Sequence, residues 1–172
     1  MLRDRRRILV IGSPGAGKST LARALGAATG LTVVHLDRHF WKPHWTPTPR
    51  DEWHAKVREL TAHDAWIIDG NYGGTLPMRV ERCDSVVFMD FPRRSCIKGV
   101  LRRCFLERHL PRLDMAEGCR ERFDWEFMQW VWHFERDERP QIIAALENTD
   151  PGRLVLRLRN RREARALLEP RI

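Results

Sequence analysis

The sequence predicts an α/β fold in which a five-stranded parallel sheet carries helices on both faces. Three observations lead there. Short, apolar, β-branched runs alternate with segments of helical spacing along the chain. A glycine-rich turn joins the first of these runs directly to the first helix. The length of 172 residues, 42% of them hydrophobic, suits one α/β domain spanning residues 1–172.

Taken in order, Arg7-Ile-Leu-Val-Ile-Gly12 has the pattern of a strand buried on both faces. A helix follows from about Lys18, with Leu21, Ala24, Leu25 and Ala28 on one side and Gly30 as its stop. Leu31 to Leu36 reads as the second strand. His39 to Arg50 holds Pro43, Pro47 and Pro49 with Trp41 and Trp45, and is expected to be an ordered loop, because Phe40, Trp41 and Trp45 are costly to leave in water. Asp51 to His63 places Trp53, Val57 and Leu60 on one helix face. Ala65 to Asp69 is the third strand, Gly70 to Gly74 a turn, and Ser85 to Asp90 the fourth strand, closed by Phe91-Pro92. Helical spacing returns over Ser95–Leu110 and again from about Arg122 to Glu147, separated by Pro111–Gly118. Leu154 to Leu158 is the fifth strand, and Asn160 is placed to cap a last helix running through Leu168.

Several classes are set aside by composition. No stretch approaches the roughly 18 consecutive apolar residues of a membrane span, and the run from Ile8 to Ile11 is too short for a signal-peptide core, so a cytoplasmic protein without membrane partners is expected. Cys83, Cys96, Cys104 and Cys119 form no CxxC pair and share no metal-ligand spacing with the histidines, and they read as free thiols. His35, His39 and His44 lie close together, but Asp37 and Trp41 between them suit a pocket wall at least as well as a ligand set. The net charge is +8, and 27 of the 31 basic residues are arginine, a skew that codon usage produces as easily as a nucleic-acid partner. Position says more than the total: residues 93–112 hold Arg93, Arg94, Lys98, Arg102, Arg103, Arg108 and Arg112 against the single acid Glu107.

The chemistry is concentrated in Gly12-Ser-Pro-Gly-Ala-Gly-Lys-Ser19, which fits GxxxxGK[ST], begins where an apolar strand ends and finishes where a helix begins. From this composition a chance match arises in roughly one sequence in a thousand. Glycines at 12, 15 and 17 let backbone N–H groups turn inward around an anion, and the helix aims its positive end at the same point. Lys18 is then expected to reach the β and γ phosphates of a nucleoside triphosphate such as ATP, and Ser19 to offer its hydroxyl to Mg²⁺. The expected nucleotide-binding set runs through Gly12, Ser13, Pro14, Gly15, Ala16, Gly17, Lys18, Ser19 and Thr20. Asp69, at the end of the third strand, is the preferred acid to hold the ion through water, with Asp90 at the end of the fourth competing for the role.

With these residues in view, the chain resembles the small P-loop kinases related to adenylate, shikimate and gluconate kinases, and more closely the bacterial FlaR-type DNA topology modulation proteins. The resemblance rests on Gly12–Ser19, His35-Leu-Asp-Arg-His-Phe-Trp41, Ile67-Ile-Asp-Gly-Asn-Tyr72, the arginine-rich helix, and Leu113-Asp-Met-Ala-Glu-Gly-Cys119 followed by Glu121-Arg-Phe123. It implies the P-loop NTPase fold with strand order 2-3-1-4-5 and an arginine-bearing helical lid, about residues 93–122, that closes over the triphosphate. Phosphoryl transfer independently favours such a lid, since guanidinium groups stabilise charge spread over several oxygens while water is excluded. Arg102, Arg103 and Arg108 are the catalytic candidates, with Arg94 and Arg112 behind them and a solvated basic face as the competing reading.

For an acceptor, Asp37 at the carboxyl end of the second strand resembles the acid that anchors or deprotonates the acceptor hydroxyl in shikimate and gluconate kinases. Trp41, Trp45 and Asn71-Tyr72 replace the substrate signatures of those enzymes, so the acceptor stays open. The candidate acceptor residues are Asp37, Trp41, Asn71 and Arg79; Arg79 suits an acidic substrate clamp about as well as a surface helix position. The series Phe123, Phe127, Trp130, Phe134 follows helical spacing and reads first as core packing, while Arg159–Arg162, after the fifth strand, is the expected adenine contact. The first functional expectation is ATP-dependent phosphoryl transfer to a small nucleotide or metabolite. The second is a nucleotide-switched regulator acting on DNA, suggested by seven arginines in Arg153–Arg171. Simple nucleotide hydrolysis is the third.

Overall fold

The structure, a computed structural model, describes residues 2, 4–106, 114–119, 123–147 and 149–169. Five strands form a parallel sheet: β1 (Arg7–Gly12), β2 (Val33–His35), β5 (Trp66–Asp69), β6 (Ser85–Met89) and β7 (Leu154–Leu158). Their spatial order is β2-β5-β1-β6-β7. Counting only these strands, that is the expected 2-3-1-4-5.

Period-two alternation in β1 explains how one sheet serves two cores. Ile8 and Val10 point to one face, where they pack with α1 (Lys18–Thr29) and α5 (Arg93–Leu106) through Leu21, Ala22, Leu25, Cys96 and Val100. Leu9 and Ile11 point to the other, against α3 (Arg50–Thr61) and α4 (Leu76–Arg82) through Trp53, Val57, Leu76 and Val80. All four β1 side chains are fully buried. At about 1.5–3 kcal/mol for each large apolar side chain removed from water, this central strand is firmly anchored, and the glycine-rich turn hangs from its end.

Three elements depart from the sequence expectation. The second strand stops at His35, and Leu36–Phe40 turns into a five-residue helix, α2. The stretch expected as an irregular loop contains an antiparallel hairpin, β3 (Trp41–Lys42) with β4 (Thr46–Pro47), tied down where the Thr48 hydroxyl donates to the Phe40 carbonyl at 2.6 Å. The long helix expected to Glu147 is two, α6 (Trp125–Asp137) and α7 (Arg139–Glu147). Pro140 explains the break, because a proline has no N–H to continue the ladder and is tolerated only in a first turn. The expected caps do form: Gly30 closes α1 in the left-handed region, and the Asn160 side chain accepts from the Glu163 amide at the start of α8 (Arg161–Ala166).

The arginine-rich helix differs from a free-standing lid over its first three turns. Cys96 and Val100 are fully buried and Cys104 nearly so, which makes this part of α5 the floor beneath the glycine-rich turn. Of the aromatic series, Phe134 on α6 is core, Phe127 is half-buried and Trp130 remains 37% exposed, while Phe123 precedes the helix and is 49% exposed.

Candidate functional site

The site gathers at the carboxyl edge of the sheet, where β1, β2 and β5 end side by side. Gly12, Gly15 and Gly17 all have positive φ, at 138°, 78° and 97°, which lets the chain wrap back before α1 begins at Lys18. The turn is pressed close to its neighbours. A Cβ on Gly12 would sit 2.3 Å from the Met89 carbonyl oxygen, and one on Gly15 would sit 2.1 Å from that of Cys96. The approach is mutual, since a Cβ on Gly99 of α5 would meet the Gly15 carbonyl oxygen at 2.1 Å. Gly12 is also braced from the opposite side: its N–H donates to Asn71 Oδ1 at 2.8 Å, and Asn71 Nδ2 donates to its carbonyl at 2.7 Å.

Lys18 folds back over this turn and donates to the Ser13 carbonyl at 3.3 Å. Burial lowers its pKa from 10.5, opposed first by the charge of Asp69 and then by that of Asp37, while Arg103 lowers it further. The same electrostatic neighbourhood therefore holds Lys18, Asp69, Asp37 and Arg103. The hydroxyl of Ser19 donates to Asp114 Oδ2 at 2.9 Å, across 95 residues of sequence. Thr20 is exposed on the first turn of α1.

Beside the turn, the register of β2 against β5 sets His35 opposite Asp69, and His35 Nδ1 lies 2.6 Å from Asp69 Oδ2 in a buried pair. Asp37 stands in the first turn of α2, two residues beyond the strand, where Tyr72 donates its hydroxyl to Asp37 Oδ1 at 2.5 Å. Burial, then the charge of Asp37 and the hydrogen bond to it, raise the Tyr72 pKa, so this hydroxyl keeps its proton. Around this pair the Phe40, Trp53 and Tyr72 rings pack at 4.7–5.1 Å between centroids. Trp41 continues the series against Phe40 at 4.9 Å and against Trp45 at 5.5 Å.

Two of the expected acceptor residues have other tasks. Asn71 uses its amide to brace Gly12. Arg79 is fully buried, and its guanidinium donates to the carbonyls of Gly70, Asn71 and Tyr72, which locks the loop after β5 rather than presenting a clamp to an acidic substrate. Burial lowers its pKa to about 9, still high enough for it to be charged at neutral pH. Asp90 is gripped by Arg139 at 2.8 Å and by Arg157 at 2.7 Å. Of the lid candidates, Arg103 lies over the Phe127 ring at 5.9 Å and Arg102 is exposed, while Arg108 and Arg112 fall outside the described residues. Sequence reasoning missed Gly99, Asp114 and the bracing role of Asn71. Gly99 carries no motif, and Asp114 was visible only as part of the Leu113–Cys119 run.

The donor chemistry fits Mg²⁺ in company with a nucleotide. Ser19 and Asp69 supply hard oxygens, and among the described residues no three His, Cys, Asp or Glu side chains gather to hold an ion alone. A magnesium ion that takes most of its ligands from phosphate and water needs no such cage.

No family model matches the chain. It is similar to Uncharacterized protein YqaC of Bacillus subtilis (strain 168), 25% identical over 129 residues, which is 74% of this chain and 71% of that protein. Among solved structures it is similar to the shikimate kinase of Acinetobacter baumannii in complex with shikimate, with a TM-score of 0.62 at 16% identity, covering 97% of this chain and 90% of that one. The shikimate kinase of Bacteroides thetaiotaomicron gives 0.57 at 15% identity, covering 95% and 94%. The shikimate kinase of Aquifex aeolicus gives 0.52 at 15%, covering 94% and 93%. The chain thus has the P-loop kinase fold. No described helix is long and apolar enough to cross a membrane.

Proposed function

We propose that this protein transfers the γ-phosphoryl group of ATP to a hydroxyl of a small acceptor. The observation that carries the reading is the placement of Asp37 and Asp69 in the electrostatic neighbourhood of Lys18, at the mouth of a turn whose three glycines open its backbone to an anion. An anion-binding turn alone accounts for Lys18. It does not account for a second carboxylate on the acceptor side, capped by a tyrosine and walled by aromatic rings.

In this reading the backbone from Gly12 to Ser19, with Thr20 behind it, binds the triphosphate, and the Lys18 ammonium moves from the Ser13 carbonyl onto the β and γ phosphates. Ser19 and Asp69 would hold Mg²⁺, which would supply positive charge to the phosphate oxygens. Asp37 orients the acceptor hydroxyl and takes its proton, and Tyr72 fixes the carboxylate in place. Phe40, Trp41 and Trp45 keep water from the transfer. Arg103, with Arg102 and Arg108, stabilises the charge on the transferring group. The tail arginines give the DNA-binding alternative less support than their number suggests, since Arg153 donates to the Cys83 and Glu81 carbonyls and Arg157 to Asp90.

The test is an acceptor screen with ATP and Mg²⁺ over nucleosides, nucleotides, sugars and hydroxy acids, read by phosphorus NMR. A new phosphoester signal that disappears in Asp37→Asn is the expected result. Only inorganic phosphate, at the same rate with every acceptor and in the variant, would leave a plain hydrolase.

A further inference from the structure

Asp114 belongs to a run that the phosphate-binding turn and the acceptor acid leave unexplained. Its carboxylate accepts from the hydroxyl of Ser19 at 2.9 Å. This is the hydroxyl that a P-loop offers to its cation. The segment 114–119 that carries it is packed rather than trailing, with Met115 and Cys119 6% and 5% exposed. Its far end lies on the acceptor hairpin. Cys119 Sγ donates to the Lys42 carbonyl at 3.4 Å, and Gly118, at φ +82°, passes so near Pro43 that a Cβ there would sit 3.3 Å from the proline Cβ. Six residues thus join the cation side of the phosphate turn to the β3–β4 hairpin beside Asp37.

On the reading that this chain binds a magnesium nucleotide, we infer that Asp114 is a carboxylate ligand of the cation at Ser19, supplied by the segment that also holds the acceptor hairpin. The chemistry is that of a hard-ion pair. Neighbouring oxygens around an octahedral magnesium ion bound at about 2.0–2.1 Å stand about 2.9 Å apart. The Ser19 and Asp114 oxygens already have that separation, held by the serine proton. Entry of the cation between them replaces the hydrogen bond with two metal contacts and requires little movement of either side chain. A carboxylate ligand also raises affinity by partly neutralising the ion, which the neutral serine cannot do. Asp69 is buried and already paired with His35, which suits it to an outer position.

Manganese, detected by its paramagnetic resonance signal, is the probe. Wild type, Asp114→Asn and Asp114→Glu are titrated with Mn²⁺ in the presence of ADP, and nucleotide affinity is measured by calorimetry with and without the metal. Asp114→Asn is expected to weaken Mn²⁺ at least tenfold in the nucleotide complex, with Asp114→Glu partly restoring it, and to leave metal-free ADP affinity within about twofold of wild type. Unchanged Mn²⁺ affinity in Asp114→Asn overturns the assignment. So does tighter Mn²⁺·ADP binding, because it would make Asp114 a latch that the cation must displace. Failure of wild type to bind ADP under any condition strikes instead at the nucleotide reading. Melting curves for both variants establish that the comparison is between folded proteins.

Discussion

The two halves of the site are built by different means. The nucleotide side is held by backbone: Gly15 against Gly99, Gly12 against Met89, and the Asn71 amide bridging both main-chain groups of Gly12. The acceptor side is held by side chains: Tyr72 on Asp37, and a run of aromatic rings from buried Trp53 out to Trp45. Among the described residues, the positive φ values outside glycine belong to His44, Trp45 and Tyr72, all on the acceptor side. Such conformations persist in large residues only where surrounding contacts enforce them, and they concentrate where function demands a particular side-chain direction. A polyphosphate is recognised by amides that any sequence possesses, so glycine placement suffices. A particular acceptor needs particular side chains.

The largest effect that tests this contrast is on the phosphate side. On the proposed function Lys18→Ala removes a charged donor to the phosphates, and at about 1.5–3 kcal/mol for a hydrogen bond to a charged group should weaken Mg²⁺·ATP binding on the order of a hundredfold in calorimetry while the melting temperature holds. Unaltered affinity would remove the lysine from its role. Gly99→Ala comes next. The added methyl collides with the Gly15 carbonyl from a position that itself has no assigned ligand contact, so a loss of about 1–3 kcal/mol of stability should come with weaker ATP binding. If the melting temperature drops and ATP affinity does not, the helix supports the fold and leaves the phosphate turn's shape alone.

The same contrast explains what could be read in the sequence. The strands and the phosphate turn were legible because both follow from short-range rules: short apolar runs, a glycine pattern, a helix start; the strand order came only with the resemblance to the small P-loop kinases. Asp37 and Asp69 were legible as strand-end acids. Asn71 and Arg79 were legible as polar residues near the site but not in their tasks, because only the folded chain shows which carbonyls and amides they must satisfy. The hairpin at Trp41–Pro47 was hidden because its strands are two residues each and its turn uses His44 and Trp45 where glycine or asparagine would have signalled it. Gly99 and Asp114 were hidden by sequence distance, at 84 and 95 residues from the groups they meet.

On the acceptor side the expected effects are smaller and separable. Tyr72→Phe keeps the ring that packs on Phe40 and Trp53 and removes the hydroxyl from Asp37, so about 1 kcal/mol of stability should be lost and ATP affinity should stay within a factor of two. Turnover of whichever acceptor the screen identifies should fall about tenfold, because the freed carboxylate samples orientations that miss the hydroxyl. A matching loss of ATP affinity would mean that the two halves are not independent.

The smallest effect has the most distinctive sign. The ammonium of Lys18 is harder to keep charged in the free folded protein than in the unfolded chain, because burial outweighs the attraction of Asp69 and Asp37. Between its lowered pKa and 10.5 the unfolded chain therefore binds more protons than the folded one, and the contribution of Lys18 to stability rises with pH through that window. ATP binding requires the charged form, so affinity should fall with pH through the same window. Lys18→Met removes the titrating group, and subtracting its melting and calorimetric profiles from those of wild type should leave two curves of opposite slope. Parallel slopes would mean that the free folded protein does not hold the Lys18 pKa below 10.5.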